Sequence, residues 1–144
     1  MACVLVASAA GCSDQPDLRD LSGGEASACA DLVDALPDTL AGVAMTDSDE
    51  RTAAWGEIEL TCGVDRPEEY DEYAPCLEIR NVGWFVPDAE LEDLGGDATA
   101  TALTHTPYVA LHVPAAERDA GVDQMLTELA QPVRSELEPT EPCK

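Results

Sequence analysis

Apolar positions recur along the chain with two periods, and the switch between them lays out the elements. Cys29, Leu32, Val33 and Leu36 stand at i, i+3, i+4 and i+7, the spacing of one buried helix face. Ser22 and Glu25 precede them as an S-x-x-E capping box and Pro37 follows, so the pattern predicts a helix ending at Leu36 with Cys29 on its inner face. Between Asp38 and Trp55 the chain is acidic and irregular and reads as a surface loop. Ile58, Leu60, Cys62 and Val64 then alternate with Glu57, Glu59 and Thr61, the period of a strand with one face in the core. From Leu77 to Val86 the apolar phase slips from Leu77 and Ile79 to Val82, Trp84 and Val86, which puts a bulge or a tight turn at Asn81. Thr99 to Leu103 reads as a short strand, and Tyr108 to Val113 as another, bracketed by Pro107 and Pro114. Val122, Met125, Leu126, Leu129 and Val133 return to helical spacing, predicting a second helix from about Glu117 that Pro132 should kink or end.

The order helix, strands, helix, with short connections, predicts an α+β fold. It is an antiparallel sheet of four to five strands with two helices packed on one face, in a single domain over residues 25–144. The first residues read differently. Val4 to Ala10 is an unbroken run of apolar and small residues that ends at Gly11-Cys12 and gives way to SDQPD. It is shorter than the roughly 20 residues a membrane span needs and fits the end of a secretion signal. No basic residue precedes Arg19, so the true start is expected upstream of Met1. Ala9-Ala10-Gly11-Cys12 is similar to the cleavage box of bacterial lipoproteins, which makes Cys12 the predicted lipidation site. Residues 1–11 are then a signal remnant, and residues 12–24 a lipidated cysteine with a flexible acidic tether.

Composition changes the picture in two ways. Leu, Ile, Val and Phe number only 29 of 144 residues while the net charge is -23, a combination at the edge of what hydrophobic burial alone can fold. The charge excludes nucleic acid, whose affinity comes from Lys and Arg releasing counterions, and this chain has seven of them. It also opposes adsorption to anionic lipid, so membrane attachment has to be covalent or hydrophobic. The six cysteines include no C-x-x-C pair, and His105 and His112 lie far from them in sequence, which disfavours zinc. With Cys3 removed and Cys12 lipidated, Cys29, Cys62, Cys76 and Cys143 remain as an even set, open to three pairings, in an oxidising compartment.

Four segments, CADLVDALPDTLAG (Cys29 to Gly42), AAWGEIELTCGV (Ala53 to Val64), NVGWF (Asn81 to Phe85) and TPYVALHVP (Thr106 to Pro114), together resemble an actinobacterial family of small secreted or lipid-anchored proteins. The family is catalogued as domain of unknown function 3515, and the resemblance spans most of residues 26–138. It implies an extracytoplasmic location and a Cys29–Cys62 disulfide, leaving Cys76 and Cys143 as a second bridge particular to this chain. The rival pairing is Cys62–Cys76 with Cys29–Cys143.

No GxSxG, HExxH, P-loop or GxGxxG is present, and no catalytic residue, metal ligand set or cofactor site is predicted. His105 and His112 read as solvated surface histidines. The acid clusters DSDE (Asp47 to Glu50), EEYDE (Glu68 to Glu72) and ELED (Glu90 to Asp93) could offer oxygen ligands to a weak divalent cation but lack EF-hand spacing. Trp55 reads as core, with an exposed contact for a glycan or protein as the alternative. The functional expectation is a non-enzymatic binding or accessory lipoprotein of the actinobacterial cell envelope, outside the membrane, with a protein or glycan partner. The alternatives are an envelope enzyme acting on cell-wall material and a cation-responsive domain.

Overall fold

The structure is a computed structural model that describes residues 18–143. The signal remnant, Cys3, Cys12 and the first part of the tether lie outside the described residues. In chain order the elements are α1 (Gly23–Ala35), β1 (Thr39–Leu40), β2 (Val43–Ala44), β3 (Asp47–Ser48), β4 (Thr52–Trp55), β5 (Ile58–Cys62), β6 (Leu77–Ile79), β7 (Val82–Phe85), α2 (Asp88–Glu92), β8 (Ala98–Ala102), β9 (His105–Thr106), β10 (Val109–Val113), a 3-10 turn (Ala115–Ala120), α3 (Val122–Glu136) and β11 (Glu138–Pro139). The class is α+β. Its main sheet has seven strands in the order β3-β4-β5-β10-β8-β7-β6, antiparallel at every pairing, with β1-β2 and β11-β9 as separate small pairs.

The sheet is wider than the four to five strands read from the sequence because residues 38–55 are not a loop. Ala41 (φ 47) and Gly42 (φ 83) turn the β1-β2 hairpin, and β3 and β4 add the outer edge of the main sheet. The fully buried residues of these strands are Leu40, Ala53 and Trp55, too sparse to register as alternation. Trp55 is core, and its indole N–H donates to the Pro37 carbonyl at 3.1 Å. At Asn81 the phase slip is a tight two-residue turn, with Arg80 and Asn81 both at positive φ (49 and 67), the backbone that a short hairpin requires.

α1 begins with the capping box: Ser22 Oγ accepts from the Glu25 N–H (3.3 Å) and Glu25 Oε1 from the Ser22 N–H (3.4 Å). It packs beside α3 against one sheet face. α3 starts at Val122, after the 3-10 turn, and continues through Pro132 to Glu136. Pro132 therefore neither ends the helix nor stands in its exposed part; it is buried on the inner face beside Leu129 and Val133, where packing offsets the one backbone bond that proline removes. Glu128 Oε2 accepts the Ala41 N–H at 2.8 Å and ties α3 to the β1-β2 turn.

Strand register sorts the side chains into two faces. Toward the helices run Cys62, Val109, Ala102 and Trp84, and beside them Leu60, Leu111 and Ala100. The alanines make room for Trp84 and the helices. The opposite face carries Thr61, Ala110, Thr101 and Phe85, each 6% exposed or less, so the sheet is covered on that side as well. The cover is the 64–76 segment, whose Tyr70 meets Phe85 edge-on at 5.3 Å, together with α2 against β8.

Two disulfides close the domain. Cys29–Cys62 joins α1 to β5 with both residues fully buried and Cα atoms 5.6 Å apart. Cys76–Cys143 joins the start of β6 to the C-terminal tail, Cα atoms 5.7 Å apart. Gly83 lies beneath the second bridge, where a Cβ would strike Cys143 Sγ and Thr104 Cγ2. Residues 18–24, expected to belong to the flexible tether, are docked instead. Leu18 bridges to Val64, the Arg19 N–H donates to the Gly63 carbonyl (3.1 Å), Arg19 pairs with Glu25, and Leu21 packs on the core. Arg51 fixes this arrangement by donating to the carbonyls of Cys62, Arg19 and Gly63.

The buried Trp84 indole N–H meets no acceptor among the described residues, whereas Trp55 has one. Phe in place of either loses the same volume, but only at Trp55 does it orphan a partner. Trp55→Phe should cost about 1–3 kcal/mol more than Trp84→Phe in denaturant unfolding, and equal losses would contradict the hydrogen-bond assignment.

Candidate functional site

The side chains of Ala98, Ala100 and Ala102 face the helices, so Thr99 and Thr101 of β8 face the opposite side. There they line a cleft of about 550 Å³. One wall is Val64 to Glu69 and the other is Pro87, Ala89 and Glu90, leading into and along α2. The cleft thus has a floor on a central strand and walls on two connections, the usual division between rigid scaffold and variable rim.

Glu90 is the half-buried acid of the site. Its Oε1 accepts the Thr99 N–H at 2.9 Å. Burial is the largest influence on the carboxyl and raises its pKa; the Thr99 N–H lowers it, the Glu69 charge raises it, and His112 and Arg118 lower it, with the balance upward. Arg118 holds this wall: one guanidinium nitrogen donates to the carbonyls of Glu90 (3.1 Å), Asp93 (2.8 Å) and Gly96 (3.0 Å), tying the end of α2 to the 3-10 turn. Arg66, on the other wall, lies 5.8 Å from the centroid of the Tyr70 ring.

Directly across from Thr99 on β10 is His112. Its Nδ1 is 3.0 Å from Thr99 Oγ1 and its Nε2 is 3.5 Å from Asp97 Oδ2, while Asp97 Oδ1 accepts the Ala115 N–H at 2.9 Å. His112 is therefore part-buried and partnered, not a free surface histidine. His105 departs further from that expectation. It is 6% exposed on β9, paired with Thr104 Oγ1 at 3.1 Å, and burial, with Arg134 second, lowers its pKa.

The acid clusters separate. Asp49 of DSDE turns the β3-β4 connection by accepting the Arg51 and Thr52 N–H groups (2.8 and 2.7 Å), and the Arg51 bond leads in lowering its pKa. Asp71 and Asp93 make similar local bonds to Tyr73 and Gly95. Glu68, Glu69 and Glu90 from the other two clusters meet at the cleft. Among the described residues no three His, Cys, Asp or Glu side chains converge into a set that could hold a metal ion. The four paired cysteines sit in the core and under the tail, and Cys12 lies outside the described residues. Thr99, Thr101, Asp97 and Arg118 were not singled out by sequence. The available signal was the strict Ala/Thr alternation from Ala98 to Ala102, whose small hydropathy contrast hides a two-faced strand.

Because the Glu90 carboxyl holds its proton to higher pH in the folded than in the unfolded protein, folding takes up a proton between the two pKa values, and stability declines as pH rises through that window. Glu90→Gln keeps the acceptor for the Thr99 N–H and removes the charge. The variant should melt above wild type at neutral pH, with the gap closing as pH falls through the carboxylate range. A melting-temperature difference independent of pH, or of opposite sign, would refute the assignment.

No curated protein and no solved structure matches the chain. A family model does match, over residues 2–142, and the chain belongs to the family described as Protein of unknown function (DUF3515).

Proposed function

We propose that the protein is a binding or accessory module of an actinobacterial cell envelope, held to the outer face of the membrane by a lipid on Cys12. The observation that carries this reading is the pair of disulfides, one fully buried between α1 and β5 and the other fastening the C-terminal tail. Such bonds form and persist in oxidising compartments. No described helix is long and apolar enough to cross a membrane, and the charge of -23 disfavours adsorption to anionic lipid. The signal-like run ending at Cys12 supplies the alternative, a covalent anchor. Six residue steps separate Cys12 from the docked Leu18, a span of at most about 20 Å, so on this reading the domain stands close to the lipid surface. The cleft between the 64–69 segment and α2 is the recognition site, for an envelope protein, a glycan or a smaller ligand.

A second reading, an envelope enzyme acting on cell-wall material, has one observation in its favour. Thr99 Oγ1, the His112 imidazole and the Asp97 carboxylate form a chain bordering the cleft, the order of groups that activates a hydroxyl nucleophile. The same contacts serve structurally as a cross-strand pair and a loop clip, and that use is complete without chemistry.

Mass spectrometry of protein from the native membrane fraction, unreduced and with free thiols alkylated, tests the first reading. The expected species begins at diacylated Cys12 and carries no alkylated cysteine. A soluble chain that retains Cys3 and takes up alkylating agent would overturn it. Turnover of a peptidoglycan fragment, lost in both Thr99→Val and His112→Ala, would establish the second.

A further inference from the structure

The two disulfides differ in what surrounds them. Cys29 and Cys62 are fully buried between α1 and β5, whereas Cys76 and Cys143 are each half-buried, and their chain neighbours Pro75, Leu77, Glu141 and Pro142 are exposed. Thiol–disulfide exchange requires a thiolate to reach a sulfur, so access decides which bridge reacts. Cys143 has that access. It lines a cavity of about 350 Å³ together with Tyr70, Tyr108 and Thr140, a cavity that Cys76 does not line. Its Sγ rests over Gly83, where any Cβ would collide with it, so β7 backs the sulfur and leaves the cavity as the approach.

The same bridge keeps the C-terminal tail in place. β11 pairs with β9 over two residues, one of them Pro139, which has no N–H to donate. Thr140 adds its N–H to the Thr104 carbonyl (2.7 Å) and its hydroxyl to the Leu103 carbonyl (3.2 Å). A pairing this short holds only while a crosslink keeps the local concentration of the tail high. The segment it pairs with is buried: Leu103, Thr104 and His105 are each at most 8% exposed. Opening Cys76–Cys143 therefore uncovers these residues while Cys29–Cys62 still holds α1 to the sheet.

We propose that Cys143 is a thiol-exchange site, at which a low-molecular-weight thiol forms a mixed disulfide and frees the C-terminal tail. The incoming thiol reacts as its thiolate. A new S–S bond forms between its sulfur and Cys143 Sγ, the Cys143–Cys76 bond breaks, and the electron pair leaves on Cys76 Sγ, which takes up the proton that the thiol gave up. One disulfide replaces another, so no oxidant or reductant is consumed. When free thiol falls, the Cys76 thiolate expels the adduct and recloses the bridge. A volume of about 350 Å³ suits a small molecule. Charge selects among thiols: Glu72 and Glu141 line the cavity with Arg66, and the chain carries a net charge of -23, so an anionic thiol is repelled and a neutral or cationic one admitted. This proposal goes beyond the binding-module reading and depends neither on the lipid anchor nor on the cleft beside α2.

The test uses the oxidised full chain carrying Cys3→Ser and Cys12→Ser, which leaves the four paired cysteines as the only ones. It is incubated without denaturant in 2-mercaptoethanol, sampled at early times, alkylated and mapped by peptide mass spectrometry. The expected product carries mercaptoethanol on Cys143 and the alkyl group on Cys76. It should form at least about tenfold faster than any product of Cys29 or Cys62, whose bridge is reached only through opening of the core. Amide hydrogen exchange should accelerate in step at residues 103–106 and 138–143 and stay unchanged in α1, β5 and β10. Compared per thiolate, cysteamine should react faster than 3-mercaptopropionate, with the gap narrowing as salt is raised. Cys76→Ser combined with Cys143→Ser should show the same fast exchange in the tail with no thiol present, while retained protection of α1 and β5 reports that the fold survives. If that variant loses protection in β5, the thiol titration of the chain with both bridges decides alone. Absence of reaction, mixed disulfide on Cys76 in place of Cys143, simultaneous labelling of all four cysteines, or a tail that stays protected once the bridge is open would each overturn the proposal. Equal rates for the cationic and anionic thiols would overturn the charge selection.

Discussion

The Cys29–Cys62 bond sits where three parts of the protein would otherwise be free to separate. It joins the inner face of α1 to the end of β5, and at that same end the Cys62 and Gly63 carbonyls receive Arg51, which also holds Arg19. The N-terminal segment, the helical layer and the central sheet therefore meet at one crosslink. A chain with a net charge of -23 repels itself most in its compact state, and its large aliphatic side chains are few. Closing a loop of 33 residues' separation removes denatured-state entropy worth about 3–4 kcal/mol in the chain-entropy account. That is a large share of the margin on which any domain of this size stands.

Scarcity of large apolar residues also explains the layer arrangement. Alanine on the inner face of β8 lets the helices approach closely and leaves room for Trp84, while threonine on the outer face tolerates partial cover. The outer layer is then made from connections, the 64–76 segment and the short α2. It is pinned by Tyr70 against Phe85, by Arg118 across the α2 carbonyls and by the Glu90 bond to β8. A layer assembled from connections covers the sheet incompletely, and the cleft over Thr99 and Thr101 is the part it leaves open.

This division decides what could be read from the sequence. α1, β5, β10 and the body of α3 carry large apolar residues at one period, so Leu32, Leu60, Leu111 and Leu129 announce them. The β6-β7 turn was visible because Val82 and Trp84 sit out of phase with Leu77 and Ile79. β1 to β4 were not legible: two-residue strands contain no period, and their burial is decided by what packs on them. Pro132 does not end α3, because a local rule about proline says nothing of the core contact that offsets it. His105 misled because two residues of β9 find their partner in β11, at the far end of the chain. Spacing left the disulfide pairing open, since it does not determine which elements lie side by side. The site was the least legible part. Glu68 and Glu90 looked like members of separate acid runs, and only the path of β8 between their two connections brings them to one cleft.

The position of that cleft bears on how charge would operate around it. Val64 both lines the cleft and pairs with Leu18, the first described residue, so the N-terminal segment meets the fold beside the cleft. On the anchored reading, the mouth lies within a short tether's reach of the lipid surface. Two anionic surfaces that close repel each other, and both gather cations from solution into the space between them, over about a Debye length of 8–10 Å. A small cation would be enriched there, whereas an anion would be excluded. The acidity that weakens the compact state would then also act as a filter on what reaches Glu90, a use of charge that requires no special arrangement beyond where the chain enters the fold.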